Sequence, residues 1–126
     1  MSAKELEDRA HVLRTPEDVQ TFLRQHSVCA IFKAGSCHLT TSALDTLARP
    51  LGKHPTLPVG LIRVVECRAA SEHAAELTGV RHASPQILLI RDGRVVHARD
   101  NWEISADALR SALEEHFAPD DQRAPG

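Results

Sequence analysis

A chain of 126 residues fits one domain and is long enough to bury a two-layer core. Hydrophobic residues make up 42% but aromatics only 3%, so the expected core is aliphatic; a net charge of −2 with both signs interspersed excludes a dense basic face for nucleic acid or an acidic membrane. The stretch Met1 to Ala10 is charged throughout and no apolar run approaches membrane-spanning length, so a soluble, cytoplasmic protein is expected.

Residues 1–14 are polar and weakly periodic and read as a lead-in, extended or partly strand-like at His11-Val12-Leu13. Thr15-Pro16-Glu17-Asp18 starts a helix: a hydroxyl cap, proline at the first helical position, then acids where the dipole favours them. It should run to about His26, with Val19, Phe22 and Leu23 at helical spacing. The continuous apolar run Val28 to Phe32 is too short for a helix and reads as a central strand covered on both faces. Ala34-Gly35-Ser36 are small enough for a close turn, and a helix from Cys37 or His38 should pass through Leu39, Ala43, Leu44 and Leu47 before Pro50 and Gly52 end it.

After a proline-rich loop, Val59 to Glu66 reads as a second central strand, parallel to the first because a whole helix separates them. Ser71 should open a short helix with Ala74, Ala75 and Leu77 inward, closed by Gly79. Gln86 to Ile90 and Val95 to His97 read as a hairpin around Asp92-Gly93. Trp102 follows in a loop, as a lid on the core, and Ser105 caps a last helix to about His116, with Leu109, Ala112 and Leu113 inward. The tail, 118–126, is expected to be loose.

This order gives an α/β domain over residues 15–117, a mixed four-stranded sheet with helices on both faces. It resembles the thioredoxin fold, in which a redox cysteine sits between the first central strand and its helix and a cis-proline precedes the third strand; Cys37 and Pro85 hold those places. A cysteine opening a helix sits where unpaired backbone N–H groups and the positive end of the dipole converge, which favours a thiolate.

The segment Leu77-Thr78-Gly79-Val80-Arg81-His82-Ala83-Ser84-Pro85-Gln86, the Asp92-Gly93-Arg94-Val95-Val96 hairpin and Asn101-Trp102-Glu103-Ile104-Ser105 resemble the monothiol bacilliredoxins of the YtxJ type. Phe32-Lys33 resembles that family's Phe-Lys, and Cys37 with Thr40 its Cys-X-X-Ser, a hydroxyl replacing the second thiol. His38 stands where Pro or Ser is usual, and the loop from Lys33 to Cys37 is slightly short. The resemblance implies thiol-disulfide exchange that removes bacillithiol, or a related low-molecular-weight thiol, from mixed disulfides on client proteins. No bound cofactor is implied, the small thiol being a co-substrate, and a monomer is expected.

Cys37 is then the attacking thiolate. Thr40, one helical turn on, is placed to hydrogen-bond it, while His38 and Lys33 would add positive charge nearby. Ser84-Pro85 would present backbone to an extended client and Ser84 could bond the small thiol. Of the other cysteines, Cys29 reads as core and Cys67 as a resolving thiol only if its Cα comes within roughly 7 Å of that of Cys37. The eight histidines show no zinc-type spacing, so no metal is expected. A non-catalytic thioredoxin-fold binding module or redox sensor, and a Cys37–Cys67 thiol reductase or peroxidase, are the alternatives.

Overall fold

Residues 1–117 are described by the structure, a computed structural model; the tail, 118–126, lies outside the described residues. In chain order the elements are α1 (Ala3–Arg9), β1 (His11–Val12), α2 (Pro16–Gln25), β2 (Val28–Ala34), α3 (His38–Gly52), β3 (Val59–Arg63), α4 (Arg68–Thr78), β4 (Gln86–Arg91), β5 (Arg94–Asp100) and α5 (Ala106–His116). A single 3-10 turn, Asn101–Glu103, joins β5 to α5.

The sheet has five strands in the order β1-β3-β2-β4-β5, not four. The extra strand is the short β1, which pairs parallel to β3 through His11↔Gly60 and Val12↔Leu61 and is extended by the Leu13 N–H on the Leu61 carbonyl at 2.8 Å. Gly60 admits it closely, since a Cβ there would stand 2.7 Å from Leu13 Cδ1. β2 runs parallel to β3 and antiparallel to β4, which pairs antiparallel with β5.

Strand alternation divides the core. Ala30, Phe32 and Ala34 of β2 pack with Leu6 of α1, Leu44, Leu47 and Leu51 of α3 and Leu109 and Leu113 of α5. Cys29 and Ile31 face the opposite way, onto Val19 and Phe22 of α2 and Ala70 and Ala74 of α4. Both faces of the central strand are therefore dry, as its unbroken apolar run requires.

Several boundaries differ from the sequence reading. The strand-like stretch expected at His11-Val12-Leu13 is β1, but residues 3–9, read only as part of a polar lead-in, form a helix, held by a Ser2–Glu5 capping box and seated by Leu6. β3 stops at Arg63, because the chain turns through the next three residues and Cys67 caps α4, which therefore opens at Arg68 and not at Ser71. Leu77, in the last turn of α4, is exposed instead of inward. Pro50 lies inside α3, which continues to Gly52. The hairpin forms as read, with Asp92 and Gly93 both at positive φ (51° and 78°), the geometry a two-residue turn between twisted strands demands.

Candidate active site

β2 delivers the chain to Gly35-Ser36-Cys37 at its carboxyl end. Cys37 is the N-cap of α3, extended at φ −87° and ψ 163°, and its carbonyl accepts the Thr40 N–H at 3.0 Å. Its side chain makes no cap bond, is exposed, and the first turn of α3 carries no acidic residue. The thiol is thus free for an incoming disulfide and faces the positive end of a fifteen-residue helix.

Thr40 is buried, and its Oγ1 accepts the Gly35 N–H at 3.0 Å. That bond ties the first turn of α3 back to the residue where β2 ends. Gly35 in turn meets the second loop: a Cβ there would lie 3.1 Å from Ser84 Oγ and 3.4 Å from Thr40 Oγ1. The Ser84–Pro85 bond is cis, and Pro85 is followed directly by the β4 residue Gln86, which pairs with Lys33 of β2. The turn before the thiol and the Ser84–Pro85 loop are therefore brought into contact, with Gly35 as the shared point. His38 is exposed at the first helical position.

Lys33 is placed differently from a surface charge. Its side chain is fully buried on the α4 side of β2, and its ammonium donates to the Ser71 carbonyl at 3.2 Å and lies 3.5 Å from His82 Nδ1. Ser71 Oγ lies 2.9 Å from the same nitrogen. Among the described residues no carboxylate pairs with it, and burial pulls its pKa down to about 8. Burial, and next the charge of Lys33, likewise hold His82 below its ordinary value. Gln86, opposite Lys33 in the register, donates to the Arg81 carbonyl at 3.0 Å, while its buried Oε1 has no partner among the described residues. The sequence reading gives Ser71 only a helix-opening role and assigns neither it nor His82 to the site. The signal for His82 was its place in the Gly-Val-Arg-His-Ala-Ser-Pro-Gln segment; for Ser71, a helical register shifted by three residues concealed it.

Cys29 is fully buried, and burial pushes its thiol up to about 12, so it is inert at neutral pH. Cys67, half-buried, follows Glu66 as Cys37 follows Ser36, and Ser36 and Glu66 line one shallow cleft of about 60 Å³; all three thiols are free. Among the described residues no group of three or more His, Cys, Asp or Glu side chains is placed to hold a metal ion. Trp102 is not a lid on the core: it is 84% exposed.

An exposed cysteine capping the helix after a central strand, on a turn that meets a cis-proline loop beside a mixed sheet, defines a thioredoxin-like protein. The comparisons agree. A structure with a thioredoxin fold superposes with a TM-score of 0.75 at 22% identity, covering 84% of this chain and 95% of that one. Thioredoxin from Fasciola hepatica gives 0.65 at 18% identity, covering 84% and 98%. Mitochondrial thioredoxin 3 from Saccharomyces cerevisiae gives 0.68 at 16%, covering 84% and 94%. Residues 11–109 match the family model Monothiol bacilliredoxin BrxC, and the chain belongs to that family. Family and fold together support a thiol-disulfide oxidoreductase.

Proposed function

We propose that the protein is a cytoplasmic, monomeric monothiol oxidoreductase that strips bacillithiol, or a similar low-molecular-weight thiol, from mixed disulfides on client proteins. The observation that carries the reading is Cys37 itself: exposed, at the head of α3, two residues after the Gly35 that meets Ser84, with a hydroxyl at the position three residues on where a dithiol enzyme would hold its second thiol.

The Cys37 thiolate attacks the small-thiol sulfur of the client's mixed disulfide. A Cys37–small-thiol disulfide forms, the bond to the client sulfur breaks, and the client leaves as a thiolate that takes a proton from water. A second molecule of the small thiol then attacks the adduct, releasing the symmetrical small disulfide and regenerating Cys37. Thr40 fixes the turn through Gly35; its hydroxyl proton, which that bond does not use, is left to donate to the thiolate. Ser84 and Pro85 line the approach, His38 adds a donor at the helix head, and Lys33 acts from beneath as a buried cation instead of by contact with substrate.

The test compares cysteine variants on an S-thiolated protein. Cys37→Ser should abolish release of the small thiol, whereas Cys29→Ser should retain it. Release that persists in Cys37→Ser would reject the reading.

A further inference from the structure

A protein in water hides its tryptophan where it can, because burying so large a ring removes ~150–250 Å² from solvent. This chain does the opposite. It holds one Trp and no Tyr, and that Trp102 is 84% exposed. The exposure is built in: Asn101 sits at φ 48°, a left-handed conformation that a short polar side chain tolerates, and starts the 3-10 turn that carries the ring outward. The Asn101 N–H donates to the Pro85 carbonyl at 2.9 Å, so the turn hangs from the cis-proline itself.

A second exposed apolar side chain stands on the other side of Cys37. Val65 is 70% exposed, in the loop after β3, and that loop is fastened to the end of β2 by the Val64 N–H on the Ala34 carbonyl at 3.0 Å. Val65 also borders the cleft lined by Gly35 and Ser36. The two most exposed of the large apolar side chains described thus flank the Cys37 turn, each one hydrogen bond from the residues that shape it.

We infer that Trp102 and Val65 are the contacts that a thiolated polypeptide makes astride Cys37, with Trp102 as the anchor. A small ligand needs an enclosing pocket, which a ring this open does not offer, whereas an exposed tryptophan on a backbone-tethered turn is what a protein partner buries as a hot spot. The inference rests on the proposed exchange at Cys37 and adds to it what selects a protein client over a free small disulfide.

The probe is a synthetic tryptophan-free peptide carrying one cysteine linked to 2-mercaptoethanol, measured against 2-hydroxyethyl disulfide, which delivers the same thiol without a polypeptide. Transfer to Cys37 is followed by intact-protein mass, and the readout is the ratio of the two rate constants. Trp102→Ala should lower the peptide-to-small-disulfide ratio about tenfold, Val65→Ser should lower it less, and Trp102→Phe should recover most of it. In Cys37→Ser, titration with the peptide should shift Trp102 emission to the blue and shield it from acrylamide. An unchanged ratio with unchanged emission overturns the docking inference alone; transfer from neither substrate overturns the exchange reading beneath it.

Discussion

The Gly35 N–H donates to the Thr40 hydroxyl at the thiol-bearing turn, and Thr40 is buried. Thr40→Val keeps the volume and removes the acceptor, so it should cost about 0.5–1.5 kcal/mol in urea unfolding, the net worth of one partly buried hydrogen bond. Thr40→Ser should recover most of it, and equal stabilities for Val and Ser would mean that the bond does not hold the turn. Lys33 makes a different prediction. Its folded pKa of about 8 lies below the ordinary 10.5, so between those values the unfolded chain binds the extra proton. Stability should therefore rise with pH from about 8 to 10.5, by up to about 3 kcal/mol, the penalty of the buried ammonium being complete below that window. Unfolding curves at the two ends, set against Lys33→Met, isolate the effect: the variant should lose the rise, and parallel slopes would contradict it.

Among the elements, α1 shows how one side chain can seat a helix. The Arg9 guanidinium donates to the carbonyls of Leu51, His54 and Leu57 at 2.8, 2.6 and 2.7 Å, closing the end of α3 and the loop after it. Arg9→Ala should cost ~2–3 kcal/mol in chemical denaturation, since charge-assisted bonds to partly buried acceptors are lost together; Arg9→Lys should recover little, a point charge being unable to span a fork of carbonyls. A loss under ~0.5 kcal/mol for Arg9→Ala would make α1 an ornament. This helix escaped the sequence reading because a seven-residue element buries one apolar residue, Leu6, and one residue has no period. The legible signal was the Ser2-x-x-Glu5 capping box. Longer elements were legible from their ends: Thr15 and Ser105 cap α2 and α5, and Gly79, at φ 72°, closes α4.

Across the whole molecule, periodicity and turn chemistry gave the layered architecture and the place of the thiol, because a buried strand, a small-residue turn and a helix head are local patterns. What was hidden is non-local. The strand-like stretch at His11–Val12 joins the sheet only through its pairing with β3, the burial of Lys33 needs Ser71 and His82, and the exposure of Trp102 needs the Pro85 carbonyl. Among the described residues no helix is long and apolar enough to cross a membrane. The exposed Cys37 sulfur stands just after the carboxyl end of β2, and the central claim is that it carries the small thiol during turnover. The direct measurement is peptide-resolved mass spectrometry of the reduced protein after stoichiometric mixing with an S-thiolated client. The account predicts one equivalent of the small thiol on Cys37, none on Cys29 or Cys67, and a client returned to its thiol. A client still thiolated beside an unmodified Cys37, or an internal Cys37–Cys67 bridge in place of the adduct, would contradict it.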